Sequence, residues 1–249
     1  MSGRIYGEKK DISEQDVKAF YNKRAAMASK MSSPYSAVLN GDQNPTHADL
    51  LNRFDREYII PKLGITRDTA VLDIGCGIGR IAGMVTPLCG RYLGADFAPE
   101  MITVAKKTVA GLNENAEFIC ASFKELMDKP VESFNGKFSC VFMRGVCMYI
   151  NDDELKYCMS RLPDLLAEHC TMYVGDPVGI GKRLTLDEIH SEQLNSDYSA
   201  IYRTQEEYTE FYRPFIDRGF RFVESTFFPP EVNGAKYSDT DRWYAILER

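Results

Sequence analysis

The sequence predicts an α/β fold in which a mostly parallel sheet carries helices on both faces. Three observations support this. From Ala70 onward, short apolar runs alternate with stretches of helical period, the pattern of parallel strands joined by crossover helices. The first run, "VLDIGCGIGR" (Val71–Arg80), closes on an acid and three alternate glycines, a strand-to-helix turn. The chain has 249 residues, 44% of them hydrophobic, so it can bury a large core without staples.

Taken in order, Ser13 is placed to cap a helix whose stripe is Val17, Phe20, Tyr21 and Ala25. "SSPYSAVLNGDQNP" breaks that period with Pro34, Gly41 and Pro45 and reads as a loop. A second helix is expected from about His47, with Leu50, Leu51, Phe54 and Tyr58 on one face, until Pro61 and Gly64 end it. "AVLDIG" is a strand and "RIAGMVTPL" a helix; "RYLGADF" is a strand and "PEMITVAKKTVAGL" a helix; "AEFICAS" and "FSCVFMRG" are strands. Asn151, spaced from Glu154 as in a capping box, should open a helix carrying Leu155, Cys158, Met159, Leu162 and Leu165. "TMYVGDP" is the fifth strand of the series. After it, "RLTLDEIHSEQLNSDYSAIYRTQEEYTEFY" is predicted to be a helical insertion, on two further capping-box spacings, Thr185–Glu188 and Thr204–Glu207. "GFRFVESTFF" and "DRWYAILER" should form an antiparallel hairpin at the sheet edge. The expected organisation is one domain: an N-terminal helical lid over 1–66, a cofactor-binding core over 67–178, an acceptor-pocket insertion over 179–212 and a C-terminal hairpin over 213–249.

Composition narrows the function. The net charge is −6, which argues against a nucleic-acid phosphate footprint. The first ten residues lack the apolar centre of a leader, and no apolar run approaches the roughly 18 residues of a membrane span. The seven cysteines form no C-x-x-C pair and lie mostly in apolar runs; they read as buried thiols of a cytoplasmic protein. The three histidines and scattered acids show no metal-ligand spacing. His47 is expected at the surface, and His169 is expected to be structural.

The glycine run asks which nucleotide is held. Gly75, Gly77 and Gly79 begin like a dinucleotide fingerprint, but Arg80 occupies the place of its third glycine. Asp73 stands two residues before Gly75, where a carboxylate would repel a pyrophosphate. A ligand with an ammonium and a sulfonium would welcome it, and S-adenosylmethionine has both and no phosphate. Asp96 lies about 20 residues further on, the position from which an acid holds a ribose. Phe97, with Ser122 and Phe123 from the third strand end, is placed for the adenine. "FMRGVCMYI", with Met143 and Arg144, would pass under the methionine part. Tyr21 and Arg24 of the first helix are further cofactor candidates, Arg24 for the methionine carboxylate.

Together these segments resemble the class I S-adenosylmethionine-dependent methyltransferases: "VLDIGCGIGR" the glycine motif, "LGADFAPEMI" (with Met101) the ribose segment, "FSCVFMRGVCMYI" the segment at the reaction centre. The resemblance covers about Val71 to Asp176. It implies a Rossmann-like seven-stranded sheet with its last strand antiparallel and S-adenosylmethionine as cofactor. Ser139 stands where many members have Asp, and Met148 and Tyr149 stand where the fourth-strand motif usually ends in histidines. "RLTL…AIYRTQEEY…GF" beside "GDQNP" is similar to bacterial methyltransferases of polysaccharide and natural-product gene clusters.

The acceptor is expected to be a small polar metabolite, a sugar or related intermediate, methylated at a hydroxyl or an amine. No D/N-P-P-Y/F motif follows the fourth strand; Met143-Arg144-Gly145 stands there. His190 is the candidate base, with Tyr149 and Asp176 near the reacting centre and Arg183, Tyr202 and Arg203 as acceptor contacts. Two other readings stay open: a domain that binds S-adenosylmethionine without catalysis, and a nicotinamide-dependent reductase. A homodimer is compatible with the sequence.

Overall fold

The computed structural model describes residues 3–39, 45–111, 114–191, 194, 196–233 and 237–249. The chain begins with β1 (Gly3–Tyr6), α1 (Glu14–Met27), α2 (Ser36–Leu39) and α3 (Pro45–Phe54). There follow β2 (Ala70–Ile74), α4 (Ala82–Val85), β3 (Arg91–Asp96), α5 (Pro99–Thr108), β4 (Ala116–Cys120), α6 (Phe123–Met127), β5 (Phe138–Arg144), α7 (Asp152–Arg161) and β6 (Leu166–Gly179). The last third holds β7 (Leu184–Ser191), β8 (Ser196–Tyr202), α8 (Gln205–Phe211), α9 (Arg213–Ile216), β9 (Arg221–Phe227), α10 (Pro230–Asn233) and β10 (Thr240–Glu248).

The main sheet has seven strands in the order β4-β3-β2-β5-β6-β10-β9. Strands β2 to β6 pair in parallel, and β10 is antiparallel to both β6 and β9. Period-two alternation divides the apolar residues between two faces. Leu72, Ile74, Val141 and Met143 point to the side covered by α6 and α7. Val71, Tyr92, Cys140, Phe142 and Tyr173 point to the side covered by α5 and by Leu51, Ile59, Ile60 and Leu63. With both faces covered, the central strands read as continuous apolar runs. The C-terminal hairpin forms as expected, and β10 inserts between β6 and the exposed edge strand β9.

The insertion is not helical. Strands β7 (Leu184–Ser191) and β8 (Ser196–Tyr202) pair antiparallel as a hairpin, and β1 pairs antiparallel with β7 to make a separate three-stranded sheet. The spacing Thr185–Glu188 is therefore no capping box: Thr185 is buried in β7, and Glu188 sits at φ 51° in a bulge between Leu186 and Ile189. Thr204 and Glu207 do form a reciprocal capping box, at the start of α8. Part of the segment 1–66, expected as a helical lid, belongs to the core packing. Past α2, the chain packs against the sheet through Leu51, Ile59, Ile60 and Leu63.

One cap and one side-chain staple hold the N-terminal segment in place. Ser13 caps α1 by accepting from the Asp16 amide, 3.2 Å away. Asn151 occupies the N-cap of α7, but its side chain makes no capping bond. Its amide instead grips the backbone of Ile12, Oδ1 accepting from the N–H and Nδ2 donating to the C=O, both at 3.0 Å.

Candidate functional site

A cleft enclosing about 950 Å³, its solvent mouth included, opens at the C-terminal edge of β2, β3, β4 and β5. Open α/β sheets bind their ligands at this edge, where the strand order reverses. Here the reversal lies between β2 and β5.

The turn after β2 forms one wall. Gly75, Gly77 and Gly79 have φ of 72°, 53° and 78°, a region that only glycine enters without strain. The Gly75 and Cys76 amides donate to the Ala95 carbonyl at 2.8 and 3.0 Å, tying the turn to β3. A Cβ on Gly75 would lie 2.3 Å from Val146 Cγ2, and one on Gly77 2.7 Å from Val38 Cγ1. Gly79 serves packing instead: its Cβ would meet the Ala105 backbone of α5 at 3.2 Å. Arg80, in the place of a third fingerprint glycine, is buried and paired to Asp55 at 2.8 Å, so it pins the turn to the segment after α3.

Asp96 ends β3 on the cleft floor. Its Oδ2 accepts from Gly77 N–H and its Oδ1 from Ala98 N–H, both at 2.9 Å. Burial pushes its carboxyl up to about 6, against the pull of those two amides. Phe97, Ser122 and Phe123 continue the lining beside it. Ser122 also caps α6 in a reciprocal box with Glu125. Over the floor stand Tyr21 and Tyr149, with ring centroids 5.2 Å apart and edge to face. Glu14 and Glu154 line the cleft as well. Burial, then the nearby Glu14 charge, raises the Glu154 carboxyl.

Arg144 lines the far side. Its guanidinium lies over the Tyr173 and Phe228 rings, 5.4 and 4.7 Å from their centroids, and Nη1 donates to Gly175 C=O at 3.3 Å. Its buried Nε has no hydrogen-bond partner among the described residues.

Several sequence candidates sit elsewhere. Asp73 lies beneath the turn and accepts from the Tyr92 hydroxyl at 2.5 Å; burial raises its carboxyl to about 7. Met101 and Met143 are fully buried in packing clusters. Arg24 is buried between α1 and α2, donating to the Ala37 carbonyl at 2.9 Å and to the Ser36 carbonyl. Asp176 is buried behind the loop after β5, where it accepts from Met148 N–H at 3.2 Å; burial raises it to about 6. Tyr149 does line the cleft, and its hydroxyl begins a chain to Tyr198 (2.9 Å) and on to Tyr202 (3.3 Å).

His190 is placed on the outside. In a hairpin its side chain projects opposite to the face that packs inward, so it is exposed and meets Asp197 at 3.2 Å. Arg183 and Arg203 are buried structural cations. Arg203 donates to Asp152 Oδ1 from Nε (2.9 Å) and Nη2 (2.7 Å), and to the carbonyls of Cys147 and Ile150 at 2.7 Å each. Arg183 Nη2 meets both Asp152 oxygens at 2.8 Å, and its Nε meets Glu207 at 3.1 Å. His47, expected at the surface, is buried at the start of α3; burial, then the Arg242 charge, lowers it to about 4. The "GDQNP" segment lies outside the described residues except for Pro45. Among the described residues, no group of three His, Cys, Asp or Glu side chains is placed to hold a metal, and no helix is long and apolar enough to cross a membrane.

Comparison with known proteins fits this geometry. Residues 71–169 match a family model described as a methyltransferase domain. Phosphoethanolamine N-methyltransferase 1 of Arabidopsis thaliana is 24% identical over 117 residues, 47% of this chain and 23% of that protein. A ubiquinone biosynthesis O-methyltransferase of Xanthomonas oryzae is 28% identical over 96 residues, 39% of each chain. The chain thus spans about a quarter of the length of the plant relative. Phosphoethanolamine N-methyltransferase 1 of Haemonchus contortus, solved with phosphoethanolamine and S-adenosylhomocysteine, superposes with a TM-score of 0.68 at 17% identity, over 94% of this chain and 48% of that one. Magnesium protoporphyrin IX methyltransferase of Synechocystis, with bound S-adenosylhomocysteine, gives 0.63 at 11% identity, over 95% and 99%. The fold is that of S-adenosylmethionine-dependent methyltransferases.

Proposed function

We propose that the protein is an S-adenosylmethionine-dependent methyltransferase acting on a hydroxyl or amine of a small polar acceptor, a sugar or related biosynthetic intermediate. The observation that carries the reading is Asp96. Two backbone amides fix its carboxylate on the cleft floor beside the glycine turn, oriented to accept from the two hydroxyls of a ribose.

The other lining residues suit the same ligand. Gly75 and Gly77 let it approach the backbone closely. Phe97, Phe123 and Ser122 line the cleft beside Asp96, and two rings with a hydroxyl suit an adenine. Glu14, Glu154 and Asp96 make the cleft acidic, which favours a sulfonium and an ammonium over a pyrophosphate. Arg144 lines the cleft with a buried Nε that has no partner among the described residues, and its charge suits a methionine carboxylate. Bound there, S-adenosylmethionine supplies a methyl group on a positively charged sulfur. The chain's task is then to align the acceptor, exclude water and take up a proton from a hydroxyl acceptor. The chain of Tyr149, Tyr198 and Tyr202 hydroxyls offers a polar rail for the acceptor at the cleft's edge. The relatives methylate nitrogen or oxygen, as their names state, and both chemistries fit this site.

The test begins with calorimetric titration of S-adenosylhomocysteine. Two charge-assisted hydrogen bonds of roughly 1.5–3 kcal/mol each predict that Asp96→Ala weakens binding at least about tenfold. A methyl-transfer screen over sugars, amines and hydroxy acids follows. Binding of NADH in place of S-adenosylhomocysteine would overturn the reading. Tight S-adenosylhomocysteine binding with no turnover across the screen would favour a non-catalytic binding domain.

A further inference from the structure

We propose that Arg242 recognises an anionic group, a phosphate or a carboxylate, carried by the acceptor molecule; this rests on the methyl-transfer reading above. Arg242 lies near the start of β10. Because β10 runs antiparallel to β6, that start lies at the same sheet edge as the cleft. The register sets Arg242 opposite Pro177, next to Asp176. Two residues along β10, on the same face, Tyr244 lies opposite Gly175, the residue against which Arg144 leans. Arg144 and Arg242 therefore share one face of the sheet at its ligand-binding edge.

Other arginines of this region have explained partners. Arg80 has Asp55, Arg183 and Arg203 have Asp152, and Arg144 has two aromatic faces and a carbonyl. Among the described residues, the Arg242 guanidinium has no hydrogen bond, no ion pair and no ring beneath it. Its neighbour Asp241 is turned elsewhere, toward Asn233 and the Arg242 backbone N–H. The charged and ionisable groups that act most strongly on Arg242 are Arg144 and the hydroxyls of Tyr202, Tyr198 and Tyr149, and Arg242 acts in turn on the His47 imidazole. No carboxylate is among them. Arg144 has the fields of Asp55 and Asp176 to offset its charge; Arg242, partly buried on the same face, has no such carboxylate among the groups that act most strongly on it, and a buried charge without a partner costs stability. Burial and the Arg144 charge lower Arg242 to about 10, which still leaves it cationic at neutral pH.

An anion at this point would take the Arg242 fork, hydrogen bonds from the phenols and, from His47, a nitrogen whose buried Nδ1 has no partner among the described residues. In a chain of net charge −6, an arginine left without a carboxylate partner at the ligand-binding edge marks a place for an anion. Tyr202 connects through Tyr198 to Tyr149 on the cleft wall. An acceptor anchored by its anion at Arg242 would thus extend along the phenols toward the cleft.

The experiment titrates inorganic phosphate, and acetate in parallel, at constant ionic strength, with and without saturating S-adenosylhomocysteine, reading the melting temperature and the phosphorus resonance. The expected result is saturable phosphate binding that Arg242→Gln weakens at least tenfold and Arg242→Lys only a fewfold. Affinity for S-adenosylhomocysteine should stay within twofold in both variants. Phosphate binding that survives in Arg242→Gln, or no saturable binding to the parent, overturns the proposal. So does displacement of S-adenosylhomocysteine by phosphate, which would put the anion in the cofactor's carboxylate subsite. Should Arg242→Gln fail to fold, Tyr202→Phe must weaken phosphate a fewfold for the proposal to stand. If the parent binds phosphate but never S-adenosylhomocysteine, the methyl-transfer reading fails while the anion site holds.

Discussion

Removing the Asp152 carboxylate should unfold more of this protein than its position near the surface suggests. Its two oxygens face Arg203, whose side chain is 0% exposed, and Arg183, at 5%. Breaking a buried ion pair by deleting one partner costs about 3–5 kcal/mol, because the other charge stays buried without compensation. Arg183 keeps Glu207 and Arg203 keeps the carbonyls of Cys147 and Ile150, so the lower half of that range is expected for Asp152→Ala. In a domain of this size each kcal/mol moves the melting midpoint by about 2–4 °C, which gives a fall of roughly 6–16 °C. Circular dichroism melts at pH 7.5 read it directly. The double variant Asp152→Ala with Arg203→Met removes both charges and should recover part of the loss. The pH dependence has a defined sign. Burial alone would raise the Asp152 carboxyl, but the Arg203 and Arg183 charges and hydrogen bonds lower it overall. Its contribution is therefore present above the unfolded carboxylate range and is lost as the pH falls through the folded value. A midpoint for Asp152→Ala within about 2 °C of the parent, less than 1 kcal/mol by the same conversion, would refute the account of the cluster.

Cofactor affinity should depend on pH through Asp96, whose folded carboxyl sits at about 6. Ribose hydroxyls favour its ionised form, so S-adenosylhomocysteine should bind most tightly above pH 6 and weaken below it. Asp96→Asn should flatten that profile; an unchanged slope by calorimetry would assign it to another group. Gly75→Val combines a φ of 72° with a Cβ 2.3 Å from Val146 and should weaken binding by about 10²-fold or more, since a β-branched residue is an outlier at positive φ; parent-like affinity would exclude the turn from the site. His190→Ala should leave turnover and acceptor KM unchanged in steady-state assays, because the imidazole points to solvent with Asp197; a large fall in turnover would place it in the reaction after all.

The sheet was legible because its signals are local. Strands β2 to β6 announce themselves as apolar runs with helical stretches between, and Asp96 follows the glycines at a recognisable distance. The hairpin β7–β8 was not. Its alternation survives at Leu184 and Leu186, and again at Tyr198, Ala200 and Tyr202, but the bulge at Asp187 and Glu188 shifts the phase between them. Without a glycine or proline in "RLTLDEIHSEQLNSDYSAIY" to mark a turn, the run imitates a helix. Strand β1 has four residues and no pattern of its own; it exists because β7 offers an edge. Arg183 and Arg203 looked like acceptor contacts because their partner Asp152 lies 31 and 51 positions away, a distance that spacing cannot show. Arg242 carries no local signal; only strand register brings it to the edge beside Arg144.

The three-stranded sheet β1-β7-β8 joins the start of the chain to a hairpin inserted some 180 residues later. Phe20 of α1 packs against Tyr198 and Leu184 of that hairpin, and Asn151 staples Ile12 to the loop that carries Tyr149. For protein engineering the unit of exchange is therefore discontinuous. A chimera that transplants residues 184–202 alone onto a related core would leave β7 without its edge partner and Phe20 without its counterpart. Moving the hairpin between relatives calls for moving the N-terminal strand and α1 with it, as one module encoded in two places.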